Sequence, residues 1–203
     1  MALPHSAEVS PPIGDLQAAV LIPLRSLDDG KHRLSDTLSQ DDRATAIRTM
    51  AETVLAAAHE LPVLVVHDSP AVATWARSHN AMEHRPDTPG LNAAVVSGCE
   101  VLRQHGFTKV IIAHADLPVA KDLRTVLTSH PVAIVADRHG DGTNVLCIDL
   151  NLDFTFVYGP GSFASHCAVS RALAIEPYVI DAPDLAWDVD YPSDLEGLPK
   201  GLA

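Results

Sequence analysis

Val110-Ile-Ile-Ala-His-Ala-Asp116-Leu-Pro118 is an apolar run that stops on a carboxylate and is closed by a proline. Its shortness and β-branched residues predict a strand buried on both faces, so Asp116 falls at the carboxyl edge of a parallel sheet. Open α/β sheets hold their ligands there. An Asp before Leu-Pro also opens loops and caps helices, and the local sequence does not separate that role from a functional one. The balance is shifted by a second acidic cluster, Trp187-Asp188-Val189-Asp190-Tyr191-Pro192, built with the same strand-then-proline grammar.

Working back toward the start, Ala18 to Leu24 predicts a first strand, central in a doubly wound sheet. The polar loop after it carries Lys31 and Arg33 but neither a G-x-G-x-x-G nor a G-x-x-x-x-G-K-S/T pattern, so a dinucleotide fold and a P-loop are both unsupported. Lys31 and Arg33 are candidate phosphate ligands, with solvated loop charges as the ordinary alternative. Ser39-Gln-Asp-Asp42 is a capping-box-like start, and the apolar spacing from Ile47 to Ala58 predicts a structural helix ended by Pro62. Val63 to Val66 follows as a parallel strand, then a short helix over Ala71 to Ser78. Arg85 to Ala94 is a turn-rich loop feeding a helix to about Gln104, with Asn92 placed either to cap it or to hold a ligand's sugar or base.

Beyond Pro118 the pattern predicts a helix over Lys121 to Ser129 and a strand over Val132 to Ala136. Asp137-Arg-His-Gly-Asp-Gly-Thr-Asn144 predicts a tight turn between strands, leaving Thr143 at the start of the next strand with its hydroxyl toward the cleft. Tyr158-Gly-Pro-Gly-Ser162 leads into a helix to about Ala174, a start whose N–H groups suit an anion as well as an ordinary Ser cap. A late strand is expected over Pro177 to Ile180, and Pro192 opens a final helix. His166 is expected at the surface, and His114 on the same side of its strand as Asp116.

The whole chain bounds these readings. Its 203 residues make one domain, 17–203, after a tail over 1–16 expected to be disordered. Fourteen Lys and Arg against 26 Asp and Glu give a net charge of −12, which argues against a nucleic-acid surface. Anionic ligands must then be held by a metal or a helix start. Three cysteines without a C-x-x-C are expected to be reduced thiols, and the 11 histidines show no metal-binding spacing. No leader or membrane-length segment is visible, so a cytoplasmic protein without membrane association is expected. A homodimer is left open.

Asp116 with Asp188 and Asp190, if the latter pair is extended, forms an oxygen-only ligand set of the kind that suits Mg²⁺ with substrate phosphates. Nucleotidyl transfer with loss of pyrophosphate is the chemistry this permits. At this point the chain resembles the guanylyltransferase family of coenzyme F-420 biosynthesis, which activates phosphoenolpyruvate or 2-phospho-L-lactate with GTP. The matching pieces are Lys31-His-Arg33-Leu34, Gly90-Leu91-Asn92, Asp116-Leu117-Pro118, Asp141-Gly142-Thr143-Asn144, Gly159-Pro-Gly-Ser162 and Asp188-Val-Asp-Tyr-Pro-Ser-Asp194.

The resemblance implies an α/β, single-domain, Rossmann-like nucleotidyltransferase fold with a mostly parallel sheet. It implies Mg²⁺ on Asp116 and Asp188, with Asp190 beside them, as the catalytic centre. Thr143, Gly159 and Ser162 would grip the phosphorylated acid, Lys31 and Arg33 the GTP phosphates, and Gly90 and Asn92 the nucleoside. Closer likeness to the phosphoenolpyruvate-using branch makes that acid the expected acceptor, with enolpyruvoyl-2-diphospho-5'-guanosine as product. 2-Phospho-L-lactate, giving the lactyl species, is the alternative, and a non-catalytic nucleotide-binding protein ranks below both. Two departures stand out: Arg25 replaces a Lys common in the family, and Ala115 a Gly.

Overall fold

A computed structural model describes residues 17–196 and Leu198; the expected N-terminal tail lies outside the described residues. Seven strands, β1 (Ala18–Pro23), β2 (Val63–Val66), β3 (Met82–His84), β4 (Lys109–Ala113), β5 (Val132–Ala136), β6 (Thr143–Asp149) and β7 (Tyr178–Val179), form one sheet in the order β3-β2-β1-β4-β6-β5-β7. Every pairing is parallel except those of β6, which runs against β4 and β5. Helices α1 (Gln40–Ala57), α2 (Pro70–Ser78), α3 (Leu91–Gln104) and α4 (Ser162–Ala172) cover the two faces.

The period of two in the strands sorts the core. Leu21, Val110 and Ile112 face α3 and α4, packing with Val95, Cys99, Leu102 and Cys167. Val20, Ile22, Ile111 and Ala113 face the other way, toward Val54 and Ala57 of α1. A doubly wound sheet with apolar strands at its centre follows directly. α3 lies so close to β1 and β2 that a Cβ on Gly98 would stand 2.5 Å from Leu21 Cδ1 and 2.7 Å from Val66 Cγ2.

The reversal of β6 is what equips the site. A parallel strand brings only its last residues to the carboxyl edge, whereas β6 brings its first, so Thr143 and Asn144 arrive beside the end of β4. There, His114 N–H donates to the Asn144 carbonyl at 3.0 Å. The hairpin turn is tied by Asp137, whose carboxylate accepts from the N–H groups of His139, Asp141 and Gly142.

Several local expectations change. The helix predicted over Lys121 to Ser129 is only a 3₁₀ turn, Leu123–Val126. The Asp122 carboxylate takes the Arg124 N–H and its guanidinium, a side-chain bond that competes with helix propagation. The last helix is likewise a 3₁₀ turn, Pro192–Leu195, and the late strand shrinks to Tyr178–Val179. β3 was not expected; its Met-Glu-His sequence is too short to show a period. α1 begins as predicted, with Ser39 Oγ accepting the Asp42 N–H at 3.2 Å. Cys99, Cys147 and Cys167 are free and buried, and burial pushes the first two thiols up to about 12. Among the described residues, no helix is long and apolar enough to cross a membrane.

Candidate active site

The sheet order turns back between β1 and β4, and a cleft of about 320 Å³ opens at their carboxyl ends. Its walls include Pro23 to Ser26, Lys31, Leu91, His114, Ala115 and Asp116. Asp116 lines the cleft as expected, but from a turn three residues beyond the end of β4 rather than from the strand itself, and both departures noted in the sequence, Arg25 and Ala115, line the same cleft.

Lys31 reaches across the cleft rather than into solvent. Its ammonium is paired with Asp116 Oδ2 and with Asp190 Oδ1, the latter at 2.9 Å. The Lys31 backbone sits in the left-handed region at φ 52, ψ 40, a conformation costing a non-glycine residue about 1–2 kcal/mol. Such strain is found where a side chain must be aimed. Burial works to lower the Lys31 pKa, but the two carboxylates outweigh it and leave the ammonium firmly charged. Burial likewise works to raise the Asp116 carboxyl, and Lys31 with His114 brings it below its ordinary value.

The acidic segment arrives beside Asp116 without forming a strand. Val189 is buried among Leu34, Ala46 and Met50, and its N–H donates to the Asp116 carbonyl at 3.3 Å. Asp188 and Asp190 flank this anchor. Asp188 Oδ1 accepts from Asn144 Nδ2 at 3.4 Å, and burial together with Asp116 raises its carboxyl above the ordinary value. Asp190 Oδ2 accepts from Arg33 Nη1 at 3.2 Å, and the Arg33 guanidinium lies 5.0 Å from the centre of the Tyr191 ring.

Thr143 and Ser162 also converge, with their hydroxyl oxygens 3.4 Å apart and both residues buried. Against Thr143 lies His166, fully buried rather than at the surface. Its Nε2 accepts the Val157 N–H at 3.1 Å, so the ring proton must be on Nδ1, which donates to Thr143 Oγ1 at 3.0 Å. Burial, then the nearby His114, lowers its pKa to about 4 and keeps the ring neutral. The Thr143 hydroxyl, already accepting, has its own proton to give. Sequence reasoning missed His166; its signal was the i, i+4, i+8 row Ser162, His166, Ser170, one buried polar stripe of α4.

Two expected ligands are engaged elsewhere. Asn92 neither caps α3, whose cap is Gly90, nor points into open space. It accepts the Tyr158 N–H at 2.8 Å and donates to the Tyr158 carbonyl at 3.2 Å, bracing the α3 start against the Gly159 loop. The start of α4 is not an open set of N–H groups either. Gly161 N–H goes to Asp141 Oδ2 at 3.1 Å, Phe163 N–H to the Asp141 carbonyl and Ser162 N–H to the Gly159 carbonyl. Gly159 and Gly161 take φ of 137 and 69, which the tight Gly-Pro-Gly turn demands and other residues resist.

The residues present fit a hard cation. Asp116 Oδ1 is buried with no hydrogen-bond partner, and the adjacent Asp188 carboxyl is raised partly by the charge of Asp116, so positive charge between them relieves both. Among the described residues, no three His, Cys, Asp or Glu side chains are gathered for a metal, so the expected set of Asp116, Asp188 and Asp190 is not assembled; the two Asp190 oxygens pair instead with Lys31 and Arg33.

Residues 18–199 match the family model described as guanylyl transferase CofC like. The chain belongs to that family. Its curated relatives include the phosphoenolpyruvate guanylyltransferase of Rubrobacter xylanophilus, 32% identical over 88% of this chain and 91% of that one. The protein of the same name from Chloroflexus aurantiacus is 30% identical over 84% and 89%. Among solved structures, a nucleotide-diphospho-sugar transferase from Desulfovibrio desulfuricans superposes with a TM-score of 0.72 at 15% identity, over 87% of this chain and 83% of that one. The 4-diphosphocytidyl-2C-methyl-D-erythritol synthase of Anaerococcus prevotii gives 0.59 at 10%, over 88% and 94%. These two likenesses concern the fold. The CofC-like chain is thus a nucleotidyltransferase built on a single α/β domain.

Proposed function

We propose that this guanylyltransferase joins GMP from GTP to the phosphate of phosphoenolpyruvate, releasing pyrophosphate and forming enolpyruvoyl-2-diphospho-5'-guanosine. The observation that carries the reading is the meeting of Asp116 and Asp190 on the Lys31 ammonium at the carboxyl edge of β1 and β4, with Asp188 held alongside by Asn144. The choice of acceptor rests on the relatives named for it.

In this reaction a phosphate oxygen of the acceptor attacks the α-phosphorus of GTP, and the bond from that phosphorus to the β-bridging oxygen breaks. The acceptor phosphate is already an anion, so no side chain needs to remove a proton; the task is to bring two anions together. Asp116 and Asp188 would hold Mg²⁺, with Asp190 beside them, and the ion when bound supplies positive charge between the phosphates. Lys31 and Arg33, now neutralising Asp116 and Asp190, are the cations for the nucleotide phosphates. Thr143 would offer its hydroxyl proton to the acid, directed by His166 Nδ1 and by the Ser162 hydroxyl, which both donate to its oxygen. With the α4 N–H groups satisfied by Asp141 and Gly159, the grip falls on hydroxyls more than on a helix terminus. Gly90 and Asn92 frame the nucleoside side, Asn92 through its brace to Tyr158.

Purified protein incubated with GTP, Mg²⁺ and equal concentrations of phosphoenolpyruvate and 2-phospho-L-lactate tests the proposal, with pyrophosphate release followed and the products identified by mass. Release with the enolpyruvoyl product dominant is expected. A dominant lactyl product would transfer the assignment to the other acid, and no release with either would end it.

A further inference from the structure

The acidic segment presents a mechanical problem. It carries Asp188 and Asp190 in neither helix nor strand, so no backbone ladder holds those carboxylates in place. Behind it lies Asp194, almost fully buried. Its Oδ2 accepts the Asp190 N–H at 2.7 Å and the Tyr191 N–H at 2.6 Å, and its Oδ1 is paired with Arg138 Nη2. The Arg138 guanidinium in turn lies 4.7 Å from the centre of the Trp187 ring, and Trp187 Nε1 donates to the Asp194 carbonyl at 3.1 Å. Arg138 belongs to the β5–β6 turn, five residues before Thr143.

We propose that Asp194 and Arg138 are positioning residues: a buried ion pair that fixes the Asp188–Asp190 carboxylates and locks them to the hairpin that delivers Thr143. Neither residue touches the cleft. Their effect passes through backbone N–H groups on one side and through the Arg138–Trp187 stack on the other, so the two halves of the site keep one spacing. Both oxygens of Asp194 are used, and the amide of Asn could accept on one side only, facing Arg138 or the two N–H groups with an NH₂ donor. The inference rests on the reading that Asp188 and Asp190 face the cation.

The test compares wild type with Asp194→Asn and with Arg138→Gln, which breaks the same pair from its more exposed side. In a Trp75→Phe background Trp187 is the remaining one of the chain's two tryptophans, and its emission reports the clamp in metal-free protein. Expected are a red shift of that emission in both variants and a ten- to hundredfold rise, for Asp194→Asn, in the Mg²⁺ concentration giving half-maximal rate, the range found when groups supporting metal ligands are removed. Turnover at saturating Mg²⁺ should fall less than threefold. Arg138→Gln should shift the same half-saturation three- to tenfold, and it decides the matter if Asp194→Asn fails to fold. Unchanged half-saturation in a folded variant, or unmoved Trp187 emission, would overturn the clamp. An inactive wild type would instead count against the proposed reaction, and the emission would still judge the clamp.

Discussion

The two acidic arms of the site are held by different physics. Asp116 lies in a turn three residues beyond β4, whose five residues are all buried and whose register is fixed by β1 on one side and β6 on the other. Its position is a by-product of the hydrophobic core. Asp188 and Asp190 ride on a coil pinned by one buried side chain, Val189, and otherwise by hydrogen bonds and ion pairs. The strand-held arm should therefore be movable only by damaging the whole fold, while the coil-held arm should respond to single polar changes that leave the fold intact.

The largest effect expected is on turnover. Asp116→Asn and Asp188→Asn keep side-chain shape but remove a charge from the centre, and each should lower kcat about 10²–10³-fold, the scale on which single electrostatic groups act. Steady-state rates beside melting curves check this. Either variant turning over near the wild-type rate with normal Mg²⁺ dependence would remove that residue from the proposed metal site. Lys31 sharpens the comparison because it bridges the arms, pairing with Asp116 on one and Asp190 on the other. Lys31→Met should reduce kcat/KM for GTP about tenfold, or roughly 1.4 kcal/mol. It should also leave two carboxylates repelling one another, seen as weaker thermal stability at low salt that recovers on adding Mg²⁺.

A break confined to the strand-held side comes from Gly98. Its missing Cβ lets α3 lie against Leu21 and Val66, and Gly98→Ala should overpack that contact by about 1–3 kcal/mol. Denaturant melts would show a lower midpoint at constant slope. Rate per folded molecule should stay near wild type; a large fall in it would show that α3 sets the site directly and that the two arms are not held independently.

What could be read from the sequence follows the same division. β1, β2, β4 and β5 announce themselves as apolar runs, and Asp116 just beyond a strand end is legible because a buried strand has only one place to stop. The hairpin and Thr143 are legible from Asp137 to Asn144, where turn chemistry is local. Asp188 and Asp190 are visible as a cluster, but the packing of Val189 and the role of Asp194 are not, since the first depends on Leu34, Ala46 and Met50 and the second on Arg138, 56 residues before Asp194. Asn92 and Lys31 are similar cases: the first bonds Tyr158 and the second Asp116 and Asp190, and no local pattern encodes a partner that distant. The α4 start was readable as an anion site only because Asp141, which fills it, lies on another element.

The smallest effect expected is on pH dependence, and it isolates the polar floor under Thr143. His166 is held neutral, with its pKa lowered to about 4 by burial and by His114, whereas in the unfolded chain it titrates near its ordinary value of about 6.5. Between those values the unfolded state binds more protons than the folded one, so stability falls as pH drops from about 6.5 toward 4 and this contribution is fully present only above that window. His84, also lowered by burial, acts in the same direction, while carboxylates with lowered values, such as Asp116 and Glu83, act mainly below it. His166→Gln should then be less stable than wild type at pH 7, having lost the ring that accepts from Val157 and donates to Thr143. On acidification it should lose stability more gradually, with His84 accounting for part of the slope that remains. Melting temperatures taken from pH 7 to pH 4.5 decide the point: parallel curves for the two proteins would mean that His166 takes up its proton in the folded state at no special cost, and that its Nε2 does not accept the Val157 N–H.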